Sequence, residues 1–279
     1  MNILITGSSG FIGINLLKYI KNKNIYCIYH KNKPKLKMNG VKFYKIDLAN
    51  ETIYKKKFKN IYFDILIHLA WHGIPDLDTK NSFINLNLSL NLLAWAIKEK
   101  KCKKIITTGS CFEYFPKKGK CDENMQIENN SIFTWAKSII LNYIKFLSKT
   151  YNFEYYWLRL FYVYGPYQRT GSLIPYIHLC KEQKKTPDLK KPKNCNDFIH
   201  VYDVCRLISE IIKRKIKSGI YNVGSGNLTS VKSIVKKNCG INLNIKPEFK
   251  KAIYSNNKQV FKNFRWRPKF HILKYKSSK

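Results

Sequence analysis

Acidic residues are scarce in this chain of 279 residues, which has 17 Asp and Glu against 52 Lys and Arg and a formal net charge of +35. The basic residues are spread along the whole length, which excludes a disordered basic tail as the source of the charge. Lys, Asn and Ile are abundant throughout, so we interpret the charge as a surface bias in a protein with an anionic ligand. No nucleic-acid partner is therefore expected.

Apolar runs of membrane-spanning length are also lacking, and the first residues, MNILITG, read as a strand rather than as an export signal. We therefore expect a cytoplasmic protein without a membrane partner. No C-x-x-C pair occurs, and the eight cysteines and six histidines are scattered, so neither a disulfide framework nor a metal site is expected. The 44% hydrophobic and 14% aromatic content is typical of a globular protein rather than of a disordered chain.

Strands and helices alternate through the first 165 residues. The predicted strands are Asn2 to Thr6, Ile25 to His30, Val41 to Ile46, Asp64 to Leu69, Lys104 to Thr108 and Tyr155 to Phe161, and the predicted helices are Phe11 to Ile20, Leu86 to Lys98 and Ser131 to Lys149. This alternation predicts an α/β fold with a doubly wound parallel sheet. From about Pro166 the regular alternation of strands and helices ends, which predicts two domains, 1–165 and 166–279. Part of the second, about 197–215, is expected to pack back on the first domain.

Three glycines, Gly7, Gly10 and Gly13, lie between the first strand and the first helix. Glycines at this spacing allow a tight turn, let backbone N–H groups approach a pyrophosphate and let the helix pack closely on the strand. A plain strand-to-helix turn is the alternative interpretation of such a pattern. Because the turn lies where a dinucleotide fingerprint must lie, we favour the dinucleotide.

The spacing T-G-x-x-G-x-x-G from Thr6 to Gly13 resembles that of the extended short-chain dehydrogenase/reductase family, the NAD-dependent epimerase/dehydratase group that acts on nucleotide sugars. Further segments resemble the family in order and spacing. They are Asp47-Leu48, Ile67-His68-Leu69-Ala70, the helix segment beginning at Asn85, Ser110 to Tyr114, Arg159-Leu160-Phe161 with Tyr164-Gly165-Pro166, Asp197 to Val201, Tyr221 to Gly226, and Trp266 with Pro268. Each segment alone is weak evidence for the family, but the order and spacing of all of them together are specific for it.

The resemblance implies a Rossmann-type sheet with a smaller C-terminal substrate-binding domain, a nicotinamide dinucleotide, a nucleotide-sugar substrate and a homodimer formed through the helices at 86–98 and 131–149. The implied cofactor contacts are Gly7, Ser9, Gly10, Phe11, Ile12, Gly13, His30, Lys31, Lys33, Asp47, Leu48, Leu69, Ala70, Asn85 and Lys137. The implied catalytic positions are Ser110, Phe133 and Lys137, and the implied substrate contacts are Cys111, Phe112, Tyr164, Arg169, Lys193 and Asn196.

The family's Tyr-x-x-x-Lys pair is incomplete, because Phe133 stands at the position of the tyrosine and only Lys137 is present. In the family the phenol exchanges a proton with the sugar oxygen while hydride moves. Three explanations stay open: an engineered trap for a bound substrate, a natural variant with another acid such as Tyr164 or Cys111, or a protein that binds a nucleotide sugar without oxidising it.

The segment after the second strand carries His30, Lys31 and Lys33 and no carboxylate, which favours NADP over NAD. Dehydration is not expected, because Cys111-Phe112 stands where the family's 4,6-dehydratases have Asp-Glu. Asn196 replaces the family's phosphate-binding arginine, and Lys191, Lys193 or Arg169 can substitute for it. The expected reaction is 4-keto reduction or 4-epimerisation of a nucleotide sugar, and the alternative is a non-catalytic binding protein on the same fold.

Overall fold

The computed structural model of the protein describes residues 1–20, 24–36 and 38–276. Its strands are β1 (Asn2–Thr6), β2 (Asn24–Tyr29), β3 (Val41–Lys45), β4 (Ile65–His68), β5 (Lys104–Ser110), β6 (Gly119–Cys121), β7 (Glu154–Leu160), β8 (Tyr162–Tyr164), β9 (Cys195–His200), β10 (Gly219–Val223), β11 (Leu228–Ser230) and β12 (Ile253–Ser255). Within the described ranges, seven strands form a parallel sheet in the order β10-β7-β5-β4-β1-β2-β3. The predicted doubly wound parallel sheet is confirmed.

Helices cover both faces of this sheet. They are α1 (Phe11–Leu17), α2 (Glu51–Lys57), α3 (Thr79–Ala94), α4 (Ile132–Tyr151), α5 (Leu173–Glu182), α6 (Val201–Lys213), α7 (Val231–Cys239) and α8 (Lys258–Phe264). One apolar core joins the sheet to α1 and α6, and a second joins its other face to α2, α3 and α4. A parallel sheet covered on both faces explains why strands such as β4 are buried at every position.

Helix α3 begins seven residues earlier than the pattern predicts. The side chain of Asp78 accepts a hydrogen bond from the backbone N–H of Asn81 at 2.7 Å and caps the helix there. The helix continues at its other end as one π-helical turn, Trp95–Glu99. The apolar stripe marks only the buried part of the helix, whereas its polar first turns are set by this capping bond.

From Tyr162 onward the chain contributes to two regions. Strands β8, β9 and β11 form a small sheet that packs with α5 and α7 around a third apolar cluster. Helix α6, strand β10 and helix α8 instead return to the first core, as does the buried Trp266. The segment 197–215 is thus divided, with β9 in the small sheet and α6 against α1, and the return to the first core extends past residue 215. The domain boundary at residue 165 stays a prediction.

Strand β1 lies between β2 and β4, so the chain leaves it toward both halves of the sheet. This arrangement places a topological switch point beside β1, and ligands of doubly wound sheets bind at the carboxyl ends of the strands there. Among residues 1–20, 24–36 and 38–276, none of the helices combines the length and apolar character that crossing a bilayer requires.

Candidate active site

A cavity of about 810 Å³ opens at the switch point. Its size lies within the range of roughly 300–1,000 Å³ that is usual for small-molecule sites. The predicted site residues that line it are Gly7, Ser9, Gly10, Phe11, Ile12, Gly13, His30, Lys31, Asp47, Leu48, Leu69, Ala70, Asn85 and Arg169. The structure therefore brings together almost all residues that the resemblance assigns to the dinucleotide.

The glycine turn fits the backbone of a dinucleotide. Gly7 has a φ of 68°, and a Cβ on it would lie 2.7 Å from the backbone nitrogen of Ala70. A Cβ on Gly13 would overlap the carbonyl oxygen of Gly7, so both positions require glycine for packing alone. Gly10 differs, because it is exposed and a Cβ there would meet only the oxygen of Gly7 at 3.2 Å. The space beside Gly10 thus belongs to the cavity, where a pyrophosphate would meet backbone rather than side chains.

Charged groups from two strand ends meet at one side of the cavity. His30 follows β2 and lies with its Nε2 3.7 Å from Oδ2 of Asp47, which follows β3. Lys31 lines the same region, whereas Lys33 is absent from the lining and lies over the ring of Phe43. The sequence lacks a carboxylate at the end of β2, but the structure brings Asp47 to that place from the neighbouring strand. An acidic side chain, that of Asp47, and a basic one, that of Lys31, therefore both lie on this side of the cavity.

At the wall of the cavity, His68 is held as a neutral imidazole. Its Nδ1 shares a hydrogen bond of 2.7 Å with Oγ1 of Thr6, and its Nε2 shares one of 3.0 Å with Oγ of Ser89. Burial, with a smaller contribution from the charge of Lys137, lowers the pKa of His68 to about 3. This imidazole links β1, β4 and α3 at the cavity wall.

Asn85 orders the loop that follows β4. Its Oδ1 accepts the backbone N–H of His72 at 2.6 Å, and its amide donates to the carbonyl oxygens of His72 at 2.8 Å and Asn81 at 2.7 Å. A cofactor role for Asn85 stays a prediction, since these bonds already use much of its side chain. The loop that it holds carries Trp71 and His72 into the cavity wall.

Trp71 lines the cavity and contacts Lys137, which does not line it. The Lys137 ammonium lies 3.8 Å from the centroid of the indole and donates a hydrogen bond of 2.8 Å to the carbonyl oxygen of Thr108. Phe133 packs edge-to-face on the same indole at 5.3 Å. Burial lowers the pKa of Lys137 to about 7, while the negative charge of Glu113 opposes that shift. The lysine and the phenylalanine of the incomplete pair therefore share an aromatic environment behind the cavity wall.

Ser110 ends β5, and a buried carboxylate fixes its backbone. Glu113 accepts the N–H of Ser110 at 2.7 Å and Nε of Arg159 at 2.7 Å, and the Glu113 and Arg159 side chains are 1% and 3% exposed. The hydroxyl of Ser110 accepts the N–H of Phe112 at 3.1 Å. The family-like segments assign no role to Glu113, although Ser-x-x-Glu at the start of a helical turn is a capping-box pattern that could have identified it.

Five of the predicted substrate contacts lie away from the cavity lining, and Arg169 alone among the six contributes to it. Cys111 is buried, which raises the pKa of its thiol well above the usual value. Tyr164 is fully buried against the rings of Phe198 and His200. The remaining three are Phe112, which packs on Phe133 and Tyr162, Lys193, which is exposed, and Asn196, which is buried in β9. Substrate roles for these residues stay predictions.

The cavity also has lining residues that the sequence pattern did not single out. Trp71 and His72 follow the Ile67-to-Ala70 segment, and Gln168 and Ser172 follow the Tyr164-Gly165-Pro166 segment. Gln168 donates to the carbonyl oxygen of Val163 at 3.1 Å, and its own Oε1 is buried without a hydrogen-bond partner. The sequence could have indicated these four residues as cavity residues only through their positions directly after two family-like segments.

The His, Cys, Asp and Glu side chains show no sign of a metal centre. In the described part of the chain, no group of three or more of them is placed to hold an ion. Each of the eight cysteines lies within the described ranges with a free thiol.

The fold is that of a doubly wound, Rossmann-like α/β protein, and its cavity lies at the switch point beside the glycine turn. A model of the NAD dependent epimerase/dehydratase family matches residues 3–224, and the chain belongs to that family. It is 27% identical over 256 residues to the dTDP-6-deoxy-L-talose 4-dehydrogenase (NAD(+)) of Aggregatibacter actinomycetemcomitans, with 89% of this chain and 94% of that protein covered.

A second relative and a solved structure carry other reactions. The dTDP-D-glucose 4,6-dehydratase of Dictyostelium discoideum is 27% identical over 272 residues, which cover 86% of this chain and 62% of that longer protein. The structure of UDP-glucuronic acid 4-epimerase from Bacillus cereus in complex with NAD superposes with a TM-score of 0.83 at 21% identity, covering 98% of this chain and 95% of that one. The relatives thus show the family and the fold, and their reactions differ.

Proposed function

We propose that the protein transfers hydride at a carbon of a nucleotide-linked sugar, by 4-keto reduction or 4-epimerisation. The observation that carries this proposal is the cavity at the switch point, which runs between the glycine turn and Arg169 and has Lys137 directly behind its wall. A nicotinamide dinucleotide, when bound, would supply or accept the hydride. The relative from Aggregatibacter, a sugar-nucleotide 4-dehydrogenase by name, supports the same class of reaction.

The residues of the chain would divide the remaining work. The turn at Gly10 would admit the pyrophosphate, and Asp47 would meet the adenosine end. Ser110 would donate its hydroxyl to the sugar oxygen, since Glu113 and Arg159 hold its backbone rigidly. Arg169, exposed at the cavity rim, would meet the phosphates of the sugar nucleotide.

Dehydration is disfavoured by the two residues after Ser110. Removal of water from a sugar needs a base and an acid near the ring, and these two positions carry a buried thiol and a phenylalanine. The nearest carboxylate along the chain, that of Glu113, is paired with Arg159 and accepts the indole N–H of Trp157 at 3.2 Å. A carboxylate held in this way is committed to structure.

For the cofactor we propose a preference for NADP. Lys31 lines the side of the cavity where a 2′-phosphate would lie, beside His30, and such a phosphate favours a cationic neighbour such as this lysine. Asp47 opposes this preference, because its carboxylate lies 3.7 Å from the His30 ring. The related epimerase was solved with NAD, so NAD is the alternative.

A second candidate function is a non-catalytic protein that binds nucleotide sugars, and Phe133 is the observation that favours it. The test has two readouts. Calorimetry measures binding of NADPH, NADH and a panel of UDP- and dTDP-sugars, and single-turnover experiments follow NADPH absorbance with the corresponding 4-keto sugars. Binding with turnover supports the enzyme, binding without turnover supports the second candidate, and the absence of any binding contradicts both.

A further inference from the structure

The surroundings of Phe133 show which group could replace the missing phenol. Within the described chain, the ring contacts of Phe133 are with Trp71 at 5.3 Å, Phe112 at 6.5 Å and the Lys137 ammonium at 5.9 Å. Of these three neighbours only Lys137 carries a proton that ionises in the accessible pH range. The acid that lies nearest to the vacant phenol position is therefore the lysine.

The Lys137 ammonium has hydrogen-bonding capacity to spare. Among the described residues, its hydrogen-bond acceptor is the carbonyl oxygen of Thr108, at 2.8 Å. An ammonium has three N–H groups. Its other close neighbours in the described structure are aromatic rings, with the Trp71 centroid at 3.8 Å and the Phe133 and Trp157 centroids at 5.9 Å. Rings attract the positive charge but accept no proton, so two N–H groups are left for an incoming oxygen.

We propose that Lys137 is itself the general acid of the reaction, taking the place of the family's tyrosine. The inference rests on the proposed function. In the reducing direction the ammonium gives one proton to the carbonyl oxygen of the 4-keto sugar while the carbonyl carbon accepts a hydride from the reduced dinucleotide. The C=O bond becomes a CH–OH group, and the neutral amine of Lys137 regains its proton from water.

The charges around Lys137 suit this role. Glu113, on the turn after Ser110, attracts the ammonium form, whereas His68, on β4, is neutral and leaves that charge unopposed. Burial brings the pKa of Lys137 to about 7, and a proton donor is most effective when its pKa is close to the working pH. Trp71 covers the ammonium and must move aside for a sugar oxygen to reach it, and the buried indole N–H has no hydrogen-bond partner to hold it in place.

The competing acids are less favourably placed. Tyr164 lies fully buried in the third apolar cluster, which surrounds the small sheet. Cys111 is buried with Tyr114 and Phe161. Tyr162 is half-buried, and its ring lies 6.1 Å from that of Phe112, which also contacts Phe133. Among Tyr164, Cys111 and Tyr162, the last is therefore the rival that the experiment must exclude.

The first readout needs no turnover. Lysines labelled with ¹³C at Cε are titrated by NMR in the protein without ligand, and Lys137→Met identifies the signal of Lys137. We expect one lysine to titrate near neutral pH and to disappear in that variant, while Lys149→Arg, an exposed change on the same helix, leaves it in place. If every lysine titrates above pH 9, Lys137 is an ordinary ammonium and the proposal is overturned.

The second readout is single-turnover hydride transfer with the best substrate from the panel. Lys137→Arg keeps a positive charge but gives up no proton, so it should lower the rate by about 10²- to 10⁴-fold with dinucleotide affinity little changed. Lys137→Met serves as a second variant if arginine does not fit. Tyr162→Phe and Lys149→Arg should transfer hydride as the unmodified protein does. The rate of the unmodified protein should fall as pH rises through the Lys137 pKa.

The outcomes separate the inference from the proposed function. If Tyr162→Phe slows hydride transfer and Lys137→Arg does not, Tyr162 is the general acid. That result overturns the inference but leaves the proposed enzymatic function intact. If Phe133→Tyr turns over and the unmodified protein does not, Lys137 cannot supply the proton without the phenol. That result also overturns the inference. A protein that binds neither dinucleotide nor sugar nucleotide contradicts the function on which the inference rests.

Discussion

The ammonium of Lys137 lies 3.8 Å from the centre of the Trp71 indole, and the indole lines the cavity. The contact is a cation–π interaction inside a desolvated site, where such interactions are worth roughly 2 kcal/mol. One side chain thus both stabilises the charge of the lysine and keeps water from it. These two effects act on the Lys137 pKa in opposite directions.

Replacement of Trp71 by alanine should raise the Lys137 pKa. Burial is the largest cause of the lowered value, and removal of the indole admits water to the ammonium. The pKa, measured by lysine NMR, should rise from about 7 toward that of an ordinary lysine. Trp135→Ala, which removes an exposed indole from the same helix as Lys137, should leave it unchanged. A lower pKa in Trp71→Ala would show that the ring's attraction outweighs its exclusion of water.

Substitutions at Gly10 and Gly13 should affect dinucleotide binding and fold stability differently. Gly10→Leu should abolish dinucleotide binding with little change in melting temperature, because the side chain would enter the cavity rather than the protein. Gly13→Ala should also destabilise the fold, by roughly 1–3 kcal/mol, since its Cβ would overlap the Gly7 carbonyl. Calorimetry and thermal unfolding measure the two effects, with Gly171→Ala as a control in open space. Full dinucleotide affinity in Gly10→Leu would contradict the proposed pyrophosphate position.

Lys31→Glu should reverse the choice of dinucleotide. A charge-assisted bond to a 2′-phosphate is worth about 1.5–3 kcal/mol, so NADPH should bind roughly ten-fold or more tighter than NADH to the unmodified protein. The variant should lose that advantage, and Asp47→Asn should enlarge it, because Asp47 is the acidic group on this side of the cavity. Lys33→Glu provides the control, as Lys33 does not line the cavity. Equal dissociation constants in all four proteins would mean that Lys31 is directed into solvent.

The pair Phe83 and Trp135 should lie in a dimer interface. Their rings are 5.8 Å apart on the adjoining helices α3 and α4, and the side chains are 44% and 38% exposed. Two exposed aromatic rings in contact form an apolar patch of the kind that protein interfaces cover. We expect a homodimer in light scattering at micromolar concentration, and a monomer for Trp135→Glu. Phe249→Glu, which changes an exposed ring elsewhere, should remain dimeric, and an unmodified protein that is monomeric would contradict the prediction.

Acid should destabilise the fold through His68. Its pKa is about 3 in the folded protein and about 6.5 when unfolded, so the unfolded chain binds more protons between these values. The free energy of unfolding should therefore fall as pH decreases from about 6.5 toward 3, by up to about 1.4 kcal/mol per pH unit for this group. Urea titrations at several pH values measure the slope. His68→Gln should reduce the slope, while His271→Gln, an exposed change, should not.

Much of this architecture could be predicted from the residues. The apolar runs of β1 and β4 are continuous because both faces of the sheet are covered, and they located the strands within one or two residues. The glycine turn was predictable as well, since packing alone requires glycine at Gly7 and Gly13. Local pattern and tertiary requirement agree at these positions.

The neighbourhood of Lys137 could not be predicted in the same way. Trp71 follows an apolar segment and could equally have been a packing residue, and only the assembled sheet shows it above a lysine 66 positions away. The resemblance assigns Asp47 and His30 to one cofactor site, but the sequence does not show that their side chains meet from neighbouring strands. Contacts between distant segments depend on strand order and register, which periodicity along one strand does not determine.

Strand β10, residues Gly219–Val223, forms an edge of the main sheet, and Trp266 is buried in the first core. The chain as far as Trp266 must therefore leave the ribosome before this core can be completed. Until then β7 has an open edge and the surface that will receive α6 and Trp266 is exposed to water. The nascent protein would depend for that interval on chaperones that shield apolar surface, and a chain cut after residue 165 would keep those surfaces exposed permanently.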